Sequence, residues 1–182
     1  MRLFVGIPLP EDVLEGLRRV VLDWKACIGG VKYVEPENMH ITLKFIGEVN
    51  DRRAERIATL LEEVPFTPIT VGLEGMGAFP SLDRPRVVWV GVREGFEEIV
   101  RLSVQIDGIL SLEGVPRETR AFHPHVTIGR VKRFSPDVTR KIKEYSGVSF
   151  GRFVADRFVL YRSTLTPDGP IYEEIRSYGV EE

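Results

Sequence analysis

The chain matches itself at a single offset, and that duplication limits the folds open to it. Slid along by 85 residues, Phe4-Val5-Gly6-Ile7 falls on Trp89-Val90-Gly91-Val92, and His40-Ile41-Thr42-Leu43 falls on His125-Val126-Thr127-Ile128. Between these segments, apolar residues at helical spacing also coincide: Leu14, Leu17, Val21 and Trp24 meet Ile99, Leu102, Ile106 and Ile109. Two copies imply a pair of lobes about a pseudo-two-fold axis, because a solenoid stacks more repeats than two. At 182 residues the chain is too short for two ordinary independent domains. A single domain over residues 1–182 is therefore expected, with pseudo-repeats of about 1–85 and 86–182.

Periodicity fills in the elements. Residues 2–8 read as a strand, and Pro8-Leu9-Pro10 with Glu11 and Asp12 opens a helix that Gly29-Gly30 ends. A strand over 39–46 and a helix from Asp51 to Glu63 follow, then strands broken by Gly and Pro up to residue 92. The second copy repeats strand and helix over 86–112 and places another helix near Pro136–Tyr145. The end of the chain reads as a hairpin, Arg152–Ser163 and Ile171–Tyr178, around Thr166-Pro167-Asp168-Gly169.

On a strand, alternate side chains share a face. His40 and Thr42 thus face one way with Ile41 and Leu43 opposed, and His125 and Thr127 do the same in the second copy. Packing gives no reason to put an imidazole and a hydroxyl at matched points of both lobes, and the chain has only three histidines. Two imidazoles across a cleft suit displacement at a cyclic phosphodiester, one taking a proton from water and the other giving one to the departing sugar oxygen. Histidine serves either role near neutrality because its ordinary pKa is about 6.5. The threonine hydroxyls would donate to the non-bridging oxygens, where negative charge develops.

The stretches Pro36-Glu37-Asn38-Met39-His40-Ile41-Thr42-Leu43-Lys44-Phe45-Ile46-Gly47 and Phe122-His123-Pro124-His125-Val126-Thr127-Ile128-Gly129-Arg130 resemble the 2H phosphoesterases. Within them they are most similar to the RNA 2′,3′-cyclic phosphodiesterases, also described as 2′-5′ RNA ligases, and the likeness runs over nearly the whole chain. The resemblance implies an α+β, bilobed, internally duplicated fold, with two mainly antiparallel sheets lining a central cleft and helices outside. It implies water attack on a terminal cyclic phosphate, a 2′-phosphomonoester product, His40 as proton donor and His125 as proton acceptor. Implied with these are an RNA partner with a cyclic phosphate end, tRNA fragments among the candidates, and no cofactor. A monomer is expected.

Other residues are weighed against ordinary structural roles. Lys44 is expected to share the face of His40 and Thr42, where it is a candidate substrate contact or a routine exposed strand lysine. Arg130 is a candidate phosphate or sugar contact, although simple alternation points it away from the histidines. Phe45, Phe122, Trp89 and Tyr161 could each stack on a base or belong to the core. His123 falls opposite Asn38 in the repeat and is expected to support the strand end. His123-Pro124-His125 lacks further residues at zinc-ligand spacing, so no metal site is expected. A nucleotide-binding module without turnover is the runner-up from another class. The reverse reaction, a 2′-5′ ligation, is the enzymatic alternative.

Composition narrows the rest. A net charge of −2 does not suit a protein that coats long nucleic acid. Between Val115 and Lys143, however, eight basic residues (Arg117, Arg120, Arg130, Lys132, Arg133, Arg140, Lys141, Lys143) face two acidic ones, Glu118 and Asp137, which suggests a patch for one phosphorylated end. The lone Cys27 reads as a buried thiol in a helix. No apolar run is long enough to span a membrane, and a cytoplasmic location is expected.

Overall fold

The computed structural model describes residues 1–179. In chain order its elements are β1 (Arg2–Pro8), α1 (Glu11–Cys27), β2 (Val31–Tyr33), β3 (His40–Glu48), α2 (Asp51–Leu60), β4 (Ile69–Pro80) and β5 (Pro85–Val92). These are followed by α3 (Phe96–Leu110), β6 (His125–Val131), α4 (Pro136–Glu144), β7 (Ser149–Ala155), β8 (Arg157–Thr166) and β9 (Gly169–Gly179).

Local chemistry sets the helix boundaries. Glu11 and Asp12 lie in the first turn of α1, where the helix dipole favours negative charge, and Val13, Leu17, Val21 and Trp24 make its one buried face. The Asn50 side chain accepts from the Arg53 amide to cap α2, and Ser135 accepts from the Asp137 amide to cap α4. Cys27 is exposed, contrary to the sequence reading. The helix stops at Cys27, and Ile28, in extended backbone, fills the core position.

The strands form one antiparallel path, β7-β4-β5-β6-β3-β1-β8-β9, with β2 added on β6. The two expected sheets are its two halves, β7-β4-β5-β6 and β3-β1-β8-β9, joined through the single pair Ile41↔Val126. The halves exchange elements. β4 follows β3 in the chain yet pairs with β5, and β8 follows β7 yet pairs with β1. Arg152–Ser163, expected as one strand, is therefore two, broken at Asp156: the first part closes one half-sheet and the second crosses to the other.

The helices cross over as well. α1 packs on β7, and its Trp24, with Ile28 just past its end, joins Ala78, Val88, Val138 and Ile142 beneath α4. α3 packs on β3. An apolar core of strand and helix residues, with Ile7, Leu17, Ile41, Ile57, Ile99, Ile106 and Ile128 shielded from solvent, runs continuously through both halves. The opposite sheet face is left open as the cleft.

Candidate active site

The pair Ile41↔Val126 fixes the centre of the site. In an antiparallel pair, the residues one step to either side lie opposite one another, so His40 falls against Thr127 and Thr42 against His125. Ile41 and Val126 are fully buried on the far face, which turns all four polar side chains toward one cavity of about 490 Å³.

Each imidazole is held the same way. His40 Nδ1 lies 2.8 Å from the Asn38 carbonyl, and His125 Nδ1 lies 2.6 Å from the His123 carbonyl. A carbonyl only accepts, so both rings donate from Nδ1, and in the neutral ring Nε2 carries the lone pair, on the cleft side. This is the role of His123 at the strand end, played by its main chain and matched by Asn38. At His40 the Thr42 hydroxyl donates to Nε2 at 2.8 Å. The Asn38 amide in turn donates to the Pro170 carbonyl at 3.1 Å, which ties the β8–β9 turn to the cleft rim.

An aromatic wall backs each ring. Phe4 stacks on His40 at 4.8 Å between centroids, and Tyr161 stacks on Phe4. Trp89 and Phe79 occupy the corresponding places beside His125. Gly6 leaves room for this arrangement, since a Cβ there would stand 3.2 Å from His40 Cδ2 and 3.0 Å from the Ile41 carbonyl. Gly77 does the same for Trp89, whose ring would lie only 2.4 Å from a Cβ.

Burial sets the protonation of the pair. It lowers the His40 pKa to about 4, against a weaker opposing effect of the Asn38 hydrogen bond, and the nearby His125 adds to the lowering. His125 is also lowered, chiefly by burial. Both imidazoles are neutral near pH 7 in the free cleft. Tyr172 meets His40 edge-on at 5.4 Å, and burial raises its phenol pKa against the opposing charges of Arg130 and Arg2.

Two matched bulges decide what else reaches the cleft. In β3 the partners of Gly6 and Val5 are Thr42 and Lys44, so Leu43 is the extra residue. In β6 the partners of Trp89 and Val88 are Thr127 and Gly129, so Ile128 is extra. A bulge inverts the alternation beyond it. Lys44 is consequently turned away from the histidines, which corrects the expectation for it. Its ammonium is buried and donates to Asp107 Oδ1 at 2.6 Å, the Pro116 carbonyl at 2.7 Å and Glu118 Oε1 at 3.3 Å. By the same inversion Phe45 and Arg130, at equivalent places in the repeat, both line the cleft. Phe122 lines none of it and packs on the edge of the core, the second of the two places open to it. Trp89 and Tyr161 serve as backing for the imidazoles.

The cationic segment expected over 115–143 does not form one patch. Arg140 pairs with Asp137, and Lys141 pairs with Asp23 and Glu144. The cations that line the cleft are Arg2, Lys32, Arg130 and Lys132, with Glu35 and Asp168 as the acidic residues there. Sequence reasoning missed Phe4, Asn38, Tyr172 and Lys32. Phe4 and Asn38 were visible as repeat partners of Trp89 and His123, whereas nothing in the sequence marked Tyr172 or Lys32. Among the described residues no group of three His, Cys, Asp or Glu is placed to hold a metal ion.

Residues 7–89 and 90–172 each match the family model described as LigT like Phosphoesterase. A protein of Archaeoglobus fulgidus named RNA 2′,3′-cyclic phosphodiesterase is 42% identical over 98% of this chain and 99% of its own length. One of the same name from Methanocaldococcus jannaschii is 39% identical over 98% of the chain and its full length. A crystal structure from Thermus thermophilus superposes with a TM-score of 0.80 at 29% identity, covering 98% of this chain and 97% of that one.

Proposed function

The chain belongs to the LigT-like phosphoesterase family, and from that premise we propose that it opens RNA 2′,3′-cyclic phosphate ends to 2′-phosphomonoesters with two histidines and no metal ion. The observation that carries this reading is that both imidazoles donate Nδ1–H to a backbone carbonyl, leaving two Nε2 atoms and two threonine hydroxyls facing one cleft. One Nε2 accepts a proton from water as the water oxygen bonds to phosphorus. The phosphorus–O3′ bond breaks, and the other histidine, protonated at Nε2, gives its proton to O3′. Thr127 donates to the non-bridging oxygens, and so does Thr42 once protonation of His40 Nε2 releases its hydroxyl proton from that ring. With a 5′-hydroxyl attacking in place of water, the same geometry would make a 2′-5′ bond.

The resemblance assigns the donor to His40 and the acceptor to His125. In the free cleft both are neutral, and the deeper lowering at His40 by itself favours the opposite split. The proposed assignment requires the anionic diester to raise the His40 proton affinity on binding, as a nearby negative charge does. A substrate with a low-pKa leaving group separates the two. As donor, His40 becomes dispensable for that substrate, so His40→Ala regains most of its lost rate and His125→Ala does not. The reverse pattern exchanges the roles.

The activity itself is tested by incubating the protein with a short cyclic-ended RNA in excess EDTA and locating the product phosphate by phosphorus NMR. A 2′-phosphate is expected. A 3′-phosphate, or loss of turnover in EDTA restored by zinc or magnesium, overturns the reading.

A further inference from the structure

The pseudo-symmetry of the site is broken at one matched pair, and the break carries information about the substrate. Phe45 and Arg130 stand five residues beyond His40 and His125 on strands that run antiparallel from the Ile41↔Val126 pair. They therefore lie on opposite sides of the histidines along the cleft. Phe45, 68% exposed, offers an apolar ring on one side, with Leu165 also exposed and lining the cleft.

The other side is cationic by construction. Lys32 on β2 is the register partner of Arg130 on β6, so two positive side chains face each other directly across the ladder. Lys132 also lines the cleft on this side and shares the strand face of Arg130 by alternation. Like charges set opposite one another destabilise a sheet. Among the described residues none of the three has an acidic partner within ion-pair distance. Glu35 is the acidic residue that follows β2 on this rim, and among the described residues it makes no ion pair either. A bound anion would offset the repulsion.

A nucleic acid end has the two unlike parts that these two sides suit, a flat apolar base and a charged backbone. The geometry points to a strand direction: the terminal base lies on Phe45, and the phosphodiester on the 5′ side of the terminal nucleotide is held by Lys32 and Lys132. The inference rests on the cyclic-phosphate reading above and adds to it a second phosphate site that a mononucleotide cannot fill. The protein is then an enzyme for oligonucleotide ends in preference to cyclic mononucleotides.

The test compares kcat/KM for a nucleoside 2′,3′-cyclic phosphate and for a trinucleotide with the same cyclic end, in wild type, Arg2→Ala and the double variant Lys32→Ala, Lys132→Ala. Wild type is expected to favour the trinucleotide roughly tenfold, and the preference should shrink as salt is raised. The double variant should lose the preference and keep its rate on the mononucleotide. Its Tm should equal or exceed that of wild type, because a like-charge contact is gone. Arg2→Ala, on the Phe45 side, should keep the preference. Wild-type turnover of both substrates without preference, or a preference that survives in the double variant, overturns the inference and leaves the activity standing. Loss of the preference in Arg2→Ala alone reverses the strand direction and overturns it too. Turnover of neither substrate removes the activity reading and this one together.

Discussion

At the scale of single residues, the proposed chemistry depends on how two imidazoles are held and how far they are buried. Each ring has its tautomer fixed by a carbonyl two residues upstream, a main-chain partner at the strand end. Burial lowers both pKa values, that of His40 to about 4 from an ordinary 6.5. A histidine with a lowered folded pKa binds fewer protons than the unfolded chain between the two values. Its contribution to stability is therefore present above about pH 6.5 and is lost as the pH falls toward 4. Thermal melts of wild type should drop across that window, and His40→Gln should melt with a visibly flatter pH dependence. If the proposed acid–base pair operates, the same lowering should place the bell of kcat/KM, which reports the free enzyme, on the acid side of 6.5, and the bound phosphate should displace that of kcat upward. A kcat/KM maximum above neutrality would contradict the burial of the pair. The four central side chains were legible at this scale because identical residues recur in two places. Lys44 differs from its expected place because one-step alternation does not extend past a bulge.

At the scale of elements, the bulges at Leu43 and Ile128 do the sorting. Each extra residue needs a partner for its displaced carbonyl: the Ser103 hydroxyl donates to Leu43 at 3.0 Å, and the Val34 amide donates to Ile128 at 2.8 Å. β3 and β6 consequently begin with the same burial order, and the fifth residue after each histidine turns back to the cleft. Lys44 is moved into a buried network between β3, α3 and the segment leading to β6. Removing one partner from a buried ion pair leaves the other uncompensated. Lys44→Ala should cost on the order of 3 kcal/mol in urea unfolding, with KM close to wild type at a temperature where the variant is folded. A raised KM with unchanged stability would restore Lys44 to the phosphate. Strand alternation is readable from sequence, whereas a bulge depends on which carbonyls find donors from distant elements, and sequence does not display that.

For the whole molecule, exchange of strands and helices makes the halves inseparable. β4 belongs by sequence to the first copy and by pairing to the second half-sheet, while β8 completes the half-sheet of β1. Cutting between the copies would strip each half of a strand and of the helix that covers it, exposing apolar face on both sides. Urea unfolding should accordingly give one transition, with tryptophan fluorescence from Trp24 and Trp89, both in the β5 half, coinciding with far-ultraviolet circular dichroism from the entire chain. Two separated transitions would show the copies to be independent. The sequence by itself determined the duplication, the order of the longer strands and helices apart from the break at Asp156, and the matching of His40 with His125, because repeats and periodicities are properties of order along the chain. Only the tertiary structure decided that the two sheets meet at Ile41 and Val126, that the copies trade strands, that Lys44 is buried and Arg130 is not, and that the cleft cations come from Arg2, Lys32, Arg130 and Lys132. Those outcomes depend on which surfaces bury together and which carbonyls find donors across the fold, and such contacts join residues that lie far apart in the chain.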